Sequence, residues 1–287
     1  MKFSTPLRYP GGKGKLTPFI KLIFEQNNLL DGHYAEPYAG GAGIALNLLI
    51  LGYASCIHLN DIDPSVFAFW HSAINATDEL CQKIRDVKLN MTEWRKQKAI
   101  QREPNNHSLI ELGFSTFFLN RTNRSGILNG GVIGGNNQTG EWKMDARFNK
   151  ADLCRRIEKI ALYRSHIRLY NLDAADMITG VLPSLPQKTL VYLDPPYYAK
   201  ADRLYKNYYK HDDHVMIANL VEQKITIPWI VSYDHMPEIV KMYNGFPKIF
   251  YGMNYSAASS YEGCEVMFFS KKLAIPDVEN PASLKAA

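Results

Sequence analysis

The tetrapeptide Asp194-Pro195-Pro196-Tyr197 constrains the fold of this chain more than any other segment. It follows the run Leu190-Val191-Tyr192-Leu193, whose β-branched and aromatic residues favour a buried strand of an open α/β sheet. The two prolines fix φ and push Asp194 into an extended conformation, so the strand is expected to end in a stiff turn. Open α/β sheets bind ligands at the carboxyl ends of their strands, which predicts a ligand site at this turn.

The turn offers two hydrogen-bond acceptors beside an aromatic ring. The Asp194 carboxylate and the Pro195 carbonyl can both point outward, with the ring of Tyr197 next to them. An exocyclic amine donates two hydrogens, and a flat ring can stack, so a nucleobase that carries an amine fits this chemistry. An ordinary proline-rich turn with Tyr197 packed in the core is the alternative for so short a motif taken alone.

A glycine-rich turn lies between a second strand pattern and a helical pattern. Residues 34–36 predict a strand and residues 44–50 a helix, and between them stands Pro37-Tyr38-Ala39-Gly40-Gly41-Ala42-Gly43. This layout is typical of a nucleotide site, because glycine permits close backbone approach and a helix start presents N–H groups. The spacing matches neither Gly-x-Gly-x-x-Gly nor a P-loop, so a ligand bound through a pyrophosphate group is not expected.

An acidic residue follows the next predicted strand. Residues 54–59 have a strand pattern that ends at Asn60-Asp61-Ile62-Asp63-Pro64. Asp61 lies about twenty residues past the glycines, where Rossmann-like sites place the acceptor for ribose hydroxyls. A solvated turn acid is the alternative role for Asp61. Asp63 is expected to cap the next helix, with Pro64 at its first position.

Length and composition predict a globular protein of one large domain, or of one domain with an insertion. The chain has 287 residues, of which 46% are hydrophobic and 21% charged. It has neither a run of about 18 apolar residues nor a signal-peptide pattern, so we expect a cytoplasmic protein with no membrane partner. The four cysteines are far apart and no histidine stands at metal-ligand spacing, so neither a disulfide framework nor a metal site is predicted. A net charge of +5 favours an anionic partner.

The middle of the chain does not alternate strand and helix. Helical patterns such as residues 91–98 are followed by glycine and asparagine clusters at 129–131 and 134–140, which predict a long hairpin or loop. We therefore expect an insertion over 65–159 within a catalytic domain formed by 1–64 and 160–287. Amides and arginines on such a loop can pair with base edges, although the arginines could instead hold the loop together or contact phosphates.

Taken together, the motifs resemble those of the Dam-like DNA adenine-N6 methyltransferases, in the alpha order. Tyr9-Pro10-Gly11-Gly12-Lys13 resembles the N-terminal cofactor motif of that family, and the segment 36–43 resembles its glycine motif. Asp194-Pro195-Pro196-Tyr197 resembles its catalytic signature. Two departures are Tyr38, where Phe is common, and one additional residue between the glycines.

The resemblance implies a Rossmann-like mixed sheet with helices on both faces, an inserted and mainly helical target-recognition domain, and S-adenosyl-L-methionine as the cofactor. The residues implied to be catalytic are Asp194, Pro195, Pro196 and Tyr197. Those implied to bind the cofactor are Tyr9, Gly11, Gly12, Lys13, Glu36, Pro37, Tyr38, Gly40, Asp61, Ile62, Asp173 and Asp194. Those implied to bind DNA are Asn120, Arg121, Asn123 and Arg124.

The implied reaction is site-specific methylation of N6 of an adenine flipped out of double-stranded DNA. Cytosine N4 and adenine in RNA stay open as targets, because the same socket accepts any aromatic amine, and a DNA-binding protein without catalysis is the alternative from another class. The segment 200–210 mixes basic and aromatic residues, which fits a segment that closes over the extruded base or tracks the strand, and a mobile loop that orders only with substrate is the alternative. We expect a monomer or weak dimer, associated with the nucleoid through DNA, with a restriction endonuclease as a functional but not physical partner.

Overall fold

The computed structural model describes residues 5–9, 11–198, 209–256 and 260–284, and the side chains of these residues outside 253–262. The chain divides into two compact units. The first contains Lys13–Ile62 and His166–Ala287, and the second contains Lys2–Gly12 and Asp63–Ser165. The expected insertion ran from 65 to 159, so its ends lie within a few residues of the observed division.

The N-terminal segment differs from the expected division, because it groups with the second unit rather than with the first. The Arg8 backbone N–H donates to Asn120 Oδ1 at 2.7 Å, and Asn120 Nδ2 donates to the Arg8 carbonyl at 2.8 Å. Since Asn120 is buried, this pair of bonds fixes the segment on the second unit. The sequence-based division, which places residues 1–64 in the catalytic domain, stays a prediction, and the described residues 5–9, 11 and 12 group with the second unit.

The first unit is built on a seven-stranded mixed sheet with the order β3-β2-β1-β4-β5-β7-β6. The strands are β1 Gly32–Glu36, β2 Ala54–Asn60, β3 Ile167–Tyr170, β4 Thr189–Leu193, β5 Trp229–Asp234, β6 Lys248–Ser256 and β7 Ser260–Phe269. Strands β1 to β5 pair in parallel, and β7 lies antiparallel between β5 and β6. The order of the first five strands is that of Rossmann-like sheets, so the predicted α/β class is confirmed.

Helices cover both faces of this sheet. Adjacent residues of a strand point to opposite faces, and on β1 the ring of Tyr34 lies 6.2 Å from that of Phe24 in α1, Thr17–Gln26. Ala35, on the other face, shares a core cluster with Ile217 of a later helix. The further helices of this unit are α2 Gly43–Ile50, α8 Ala174–Asp176, α9 His211–Lys224 and α10 Pro237–Met242.

The second unit is helical apart from its loops. Its helices are α3 Pro64–Asn75, α4 Thr77–Asp86, α5 Met91–Arg102, α6 Leu109–Thr122 and α7 Lys150–Ala161. Asp63 caps α3 by accepting from the Ser65 N–H at 2.9 Å, with Pro64 at the first position, which confirms the predicted cap. The segment 123–149 forms a long loop with short 3-10 turns and an isolated bridge from Asn123 to Val132.

Helix α9 begins after Lys210, which holds the cap position. Asp213 stands at the third helical position, where its carboxylate accepts from the Lys210 N–H at 2.8 Å. Of the predicted base-covering segment 200–210, residues 200–208 lie outside the described residues. Among the helices that the structure describes, none is both long and apolar enough to cross a bilayer.

Candidate active site

The predicted turns come together at one edge of the first unit because β1 to β4 run in parallel. The glycine turn follows β1, Asp61 follows β2, Asp173 stands just beyond β3, and Asp194 follows β4. Strands β1 and β4 are neighbours, and the strand order reverses between them. Such a switch point is where open α/β sheets form their ligand crevice, so these side chains are placed for binding.

A buried lysine holds the carboxylate of the Asp194 turn. Lys13 Nζ lies 3.1 Å from Asp194 Oδ1 and 3.2 Å from Glu265 Oε1. The side chain of Lys13 is 3% exposed and that of Glu265 is 0%, whereas Asp194 keeps 22%. Of these three groups, Asp194 is therefore the one that remains accessible to a ligand.

Two tyrosine hydroxyls complete the surroundings of Glu265. Tyr197 donates to Glu265 Oε1 at 2.9 Å, and Tyr251 donates to Glu265 Oε2 at 2.5 Å. Lys13 Nζ also donates to the Tyr197 hydroxyl at 3.0 Å and lies 4.9 Å from the centre of its ring. We call Lys13, Asp194, Tyr197, Tyr251 and Glu265 the buried charge network.

A serine fixes Asp194 from the neighbouring strand. Ser232, on β5, donates to Asp194 Oδ1 at 2.7 Å, and its own oxygen accepts from the Tyr192 hydroxyl at 2.9 Å. On the same edge, Asp234 Oδ1 accepts from the Tyr198 N–H at 2.9 Å, which ties the end of the turn to β5. The position of the Asp194 carboxylate is thus set by two side chains, those of Lys13 and Ser232.

In the buried charge network, the neighbouring charges and the burial of the side chains shift the pKa values of Lys13 and Asp194 in opposite directions. Burial lowers the pKa of Lys13, but the carboxylates of Asp194 and Glu265 outweigh it and hold the pKa well above its ordinary value. Burial raises the pKa of Asp194, and the Lys13 ammonium works against that shift. Lys13 is therefore a fixed cation, and its charge favours the ionised form of Asp194.

On the cofactor side, the glycine turn is joined to Asp61. Gly40 and Ala42 have φ values of +44° and +47°, so the chain turns through the left-handed region here. The Gly40 N–H donates to Asp61 Oδ2 at 2.9 Å. Tyr38 lies in the same turn, and its hydroxyl is 3.0 Å from that of Tyr209.

Asn60 links three of the turns at this edge. Its Nδ2 donates to the Pro37 carbonyl at 2.9 Å and to the Leu172 carbonyl at 3.0 Å, while its Oδ1 accepts from the Leu172 N–H. Asn171 Nδ2 donates to the Asp61 carbonyl at 2.7 Å. The segments after β1, β2 and β3 are therefore held in one arrangement by the buried amide of Asn60 and the exposed amide of Asn171.

Other predicted cofactor residues have different surroundings. Glu36 is buried and accepts from the Tyr34 hydroxyl at 3.1 Å and from the Ala45 N–H at 3.3 Å, so it joins β1 to the start of α2. Asp173 caps α8 by accepting from the Ala175 N–H at 2.8 Å. Ile62 is 45% exposed and offers an apolar surface next to Asp61.

The N-terminal motif is shared between the two units. Tyr9, Gly11 and Gly12 belong to the second unit, where the Gly12 N–H donates to the Tyr9 carbonyl at 3.1 Å and Gly11 has a φ of +73°. Lys13 is the first residue of the long segment in the first unit. Pro10, which completes the motif, lies outside the described residues.

Two of the four predicted DNA contacts are buried amides. Asn120 is 3% exposed and also donates to the Gly126 carbonyl at 3.0 Å. Asn123 is 0% exposed, accepts from Trp94 Nε1 at 2.7 Å, and donates to two carbonyls of the following loop. These amides are engaged with the protein itself, and the predicted base contact for Asn120 and Asn123 stays a prediction.

The two arginines differ from each other. Arg121 donates to the Arg147 carbonyl at 2.7 Å and to the Pro6 carbonyl at 3.3 Å, so it holds the segment 5–9 and the loop together. Burial and neighbouring arginines lower the pKa of Arg121 to about 10. Arg124 is exposed. Among the four predicted residues it is therefore the best placed to reach DNA.

Sequence reasoning missed the partners of Lys13. Glu265 and Tyr251 belong to strands that the pattern analysis had not assigned, and Asn60 had been regarded only as part of a turn. The mixture of an acid with apolar residues in Glu265-Val266-Met267-Phe268-Phe269 was the available signal, because a carboxylate inside a buried strand needs a partner.

A family model described as D12 class N6 adenine-specific DNA methyltransferase matches residues 9–254. This range includes the glycine turn, Asp61, the Asp194 turn and most of the second unit. Glu265 lies beyond the matched range. Comparison with curated protein sequences found no significant match.

Two solved structures are similar over most of the chain. One is the precorrin-8W decarboxylase from Methanobacterium thermoautotrophicum, with 10% identity, 88% of each chain covered and a TM-score of 0.35. The other is the precorrin-6y C5,15-methyltransferase from Geobacter metallireducens, with 8% identity, 87% of this chain and 85% of the other covered, and a TM-score of 0.37. Similarities this distant carry no argument about substrate.

Proposed function

Because the chain belongs to the D12 class of N6 adenine-specific DNA methyltransferases, we propose that it methylates adenine at a specific sequence of double-stranded DNA. In this proposal the donor is S-adenosyl-L-methionine and the target adenine is flipped out of the duplex. The observation that supports it most directly is the accessible carboxylate of Asp194, which Lys13 and Ser232 fix at the edge of the sheet.

The residues at this edge suit the proposed donor. Its nucleoside part presents ribose hydroxyls and a flat ring, which call for acceptors and an apolar surface. Asp61 and Asp173 are carboxylates at the ends of their strands, Ile62 is an exposed apolar side chain, and the turn at Gly40 brings backbone close. These residues would hold the donor, which supplies a methyl group already activated on a positively charged sulfur.

Asp194 and the Pro195 carbonyl have the central chemical role in the proposed reaction. They accept the two hydrogens of the adenine N6 amine, which draws the nitrogen lone pair out of conjugation with the ring and directs it outward. As the nitrogen would bond to the methyl carbon, the bond from that carbon to sulfur would break and the donor would leave as a neutral thioether. The nitrogen would gain positive charge, which the Asp194 carboxylate stabilises, and would then lose one proton to solvent. Fixing the amine in this orientation alone can contribute several kcal/mol, on the order seen for well-oriented reactants.

Lys13 and Ser232 act through Asp194 as positioning residues. Both contact Oδ1, so the other oxygen of the carboxylate, Oδ2, is the one that we assign to the adenine amine. Lys13 also keeps the carboxylate ionised, as acceptance of two hydrogen bonds requires. Glu265, in turn, holds Lys13 from the opposite side.

Tyr197 has a narrower role than the sequence suggested. Its side chain is 6% exposed, and its hydroxyl is bonded to Lys13 and Glu265. We propose that the hydroxyl fixes the ring and that the remaining exposed part of the ring contacts the base. The monomeric state and the functional pairing with a restriction endonuclease stay predictions of the sequence.

Methyl transfer by an Asp194→Ala variant tests the proposal. With methyl-labelled donor and duplex DNA, we expect labelling to be abolished while donor binding, measured by calorimetry, stays within about threefold of the wild type. Nucleoside analysis of wild-type product should give N6-methyladenine alone. The control is Asp277→Ala, which removes an exposed acid of the first unit and should leave labelling unchanged.

Labelling by the Asp194→Ala variant at the wild-type rate would refute the role of Asp194. A product in cytosine, or a preference for RNA over duplex DNA, would refute the proposed substrate. Failure of the wild type to bind S-adenosyl-L-methionine would refute the proposed donor.

A further inference from the structure

Two histidines and a cysteine meet on the first unit at a place that the reaction does not use. His33 Nδ1 lies 3.1 Å from His58 Nε2, and Cys56 Sγ lies 3.8 Å from the same nitrogen. These three atoms all lie within 4.8 Å of one another. We call His33, Cys56 and His58 the histidine–cysteine cluster.

The register of the sheet explains why these residues meet. His33 on β1 pairs with Cys56 on β2, and Cys56 and His58 are two residues apart, so all three side chains lie on one face. His33 lies at the beginning of β1, whereas the glycine turn follows the end of that strand. The cluster is therefore displaced along the strands from the Asp194 edge.

The three residues of the histidine–cysteine cluster differ in how deeply they are buried. His58 is 4% exposed and Cys56 is 9%, while His33 is half-buried. Two of the ligand atoms are thus held inside the protein, and the third closes the cluster from the solvent side. An ion can enter past His33, and water can occupy a fourth position.

The surroundings of His58 favour a bare nitrogen inside the cluster. His58 Nδ1 lies 3.0 Å from the Tyr170 hydroxyl, on the side away from His33 and Cys56. In the tautomer with its proton on Nδ1, His58 donates to the Tyr170 oxygen and presents the Nε2 lone pair to the other two residues. A hydrogen bond of this kind to the second ring nitrogen is the usual support of a metal-ligating histidine.

We propose that the histidine–cysteine cluster binds one divalent transition-metal ion of the zinc type, through His33 Nδ1, His58 Nε2 and the Cys56 thiolate. Imidazole and thiolate together select such borderline-soft ions over magnesium or calcium. On binding, the thiol proton leaves to solvent, and His33 takes the tautomer with its proton on Nε2, so that Nδ1 is free to ligate while the imidazole stays neutral. The ion joins β1 to β2 and stabilises the folded protein.

The positive charge of Arg168 disfavours cation binding at this site. It lies on β3 opposite His58, and its positive charge acts on His33, Cys56 and His58. A bare divalent ion would be repelled, whereas the thiolate cancels one of its charges. The cysteine is therefore required for binding, which distinguishes this site from adventitious binding by two surface histidines.

Cobalt titration of the full-length protein without a histidine tag tests the proposal. We expect one equivalent of Co²⁺ to bind with a thiolate-to-cobalt charge-transfer band in the near ultraviolet, and Zn²⁺ to displace it and raise the melting temperature. Cys56→Ser should abolish the band. Tyr170→Phe keeps all three ligands and should weaken zinc binding by about tenfold.

The controls remove the same residue types elsewhere. Cys264→Ser changes an exposed cysteine, and His107→Gln changes a histidine of the second unit, so both should titrate like the wild type. The proposal is overturned if the wild type shows no saturable band, or if the band survives Cys56→Ser. It is also overturned if a folded Tyr170→Phe variant binds zinc as tightly as the wild type.

Discussion

At the scale of single residues, the buried charge network is held together by the balance of its charges. Lys13 carries one positive charge between the carboxylates of Asp194 and Glu265, at 3.1 and 3.2 Å. Removing one partner of a buried ion pair leaves an uncompensated charge and typically costs about 3–5 kcal/mol. The network therefore fixes Asp194 for chemistry and makes the fold depend on the same groups.

The Glu265→Gln variant separates these two effects. The amide keeps the shape but not the charge, so Lys13 should turn toward Asp194 and weaken its acceptance of hydrogen bonds. We expect kcat to fall by about tenfold or more and donor binding to stay unchanged. The free energy of unfolding should fall by about 1–3 kcal/mol, because Lys13 keeps Asp194 as its counterion while the amide nitrogen cannot accept a tyrosine hydroxyl as a carboxylate oxygen does. Steady-state assays of methyl transfer measure kcat, and denaturant unfolding measures the free energy of unfolding.

Tyr251→Phe is the milder substitution, because it removes a single hydrogen bond to Glu265. It should lower the free energy of unfolding by about 1–2 kcal/mol. The matched control is Tyr53→Phe, whose hydroxyl donates to the exposed Glu25. A folded Glu265→Gln variant with wild-type kcat would show that Glu265 has only a structural role.

Glu36 makes the stability of the fold depend on pH. Burial raises the pKa of Glu36 from 4.5 to about 8. Between these values the folded protein holds a proton that the unfolded chain has released, so its stabilising effect is complete below pH 4.5 and is lost as the pH rises to 8. The free energy of unfolding should fall by up to about 1.4 kcal/mol per pH unit from this group.

Glu36→Gln should remove this contribution. The free energy of unfolding of the variant relative to that of the wild type should therefore be higher at pH 8 than at pH 5. Denaturant unfolding at the two pH values measures the difference. Glu25→Gln, at an exposed carboxyl, should leave the slope of the wild type unaltered. A Glu36→Gln variant with the wild-type slope would contradict the buried, protonated state of Glu36.

The residue scale also shows what the sequence could predict. Asp61 and Asp194 were found from the turns that hold them, because strand ends and prolines leave a local pattern. The pattern predicted Asp61 as an acceptor for ribose hydroxyls, which stays a prediction, and its bond with the Gly40 N–H was not predicted. Lys13 was predicted as a cofactor residue from its motif alone, and its contact with Glu265 could not be predicted because it joins residues far apart in the chain.

At the scale of elements, the packing of α3 against α6 depends on a glycine. A Cβ added at Gly113 of α6 would lie 2.5 Å from the Ala68 carbonyl oxygen of α3 and would overlap Ser72 Oγ. No side chain fits there without moving the backbone. The absence of a side chain at this position sets the distance between the two helices.

Gly113→Ala should therefore reduce the free energy of unfolding by about 1–3 kcal/mol, although alanine favours helices more than glycine. Thermal or denaturant unfolding measures the change. Gly180→Ala is the matched control, since a Cβ at that exposed position has open space around it. Equal stability of both variants and the wild type would contradict the close packing of α3 on α6.

Strand β7 shows why part of the site escaped sequence analysis. It enters the sheet antiparallel between β5 and β6, and its register places Glu265 opposite Asp234. The order of strands along the chain gives β6 before β7, so a simple extension of the parallel sheet would have put β6 next to β5. The long-range pairing of strands, rather than any local motif, brings Glu265 to Lys13.

At the scale of the whole molecule, the net charge of +5 bears on the interaction with DNA. We expect exposed basic side chains such as Arg124 to neutralise phosphates and release counterions, so that binding weakens as salt rises. We expect the affinity for duplex DNA to fall at least about a hundredfold between ~50 and ~200 mM salt, as for several phosphate contacts. Fluorescence anisotropy with a labelled duplex measures this slope.

Arg124→Ala should reduce that slope by about one phosphate contact. Asn120→Ala should instead lower the melting temperature, because it breaks the bonds to Arg8 and Gly126. An unchanged slope for Arg124→Ala would place the DNA contacts elsewhere on the molecule.

The prediction of an insertion was drawn from the loss of strand and helix alternation, whereas the grouping of residues 2–12 with the second unit depends on two bonds that no local pattern reveals.

The buried charge network also limits how this enzyme can diverge in evolution. A mutation at Lys13 alone leaves two carboxylates without their shared cation, and a mutation at Asp194 or Glu265 alone takes away one of the two partners of Lys13, so the surviving routes are those in which two positions change in quick succession. A descendant that had lost catalysis would be released from this coupling. Neutral drift at these three sites as a group, rather than at Asp194 by itself, would then mark the lineages in which the enzyme has become a pseudoenzyme.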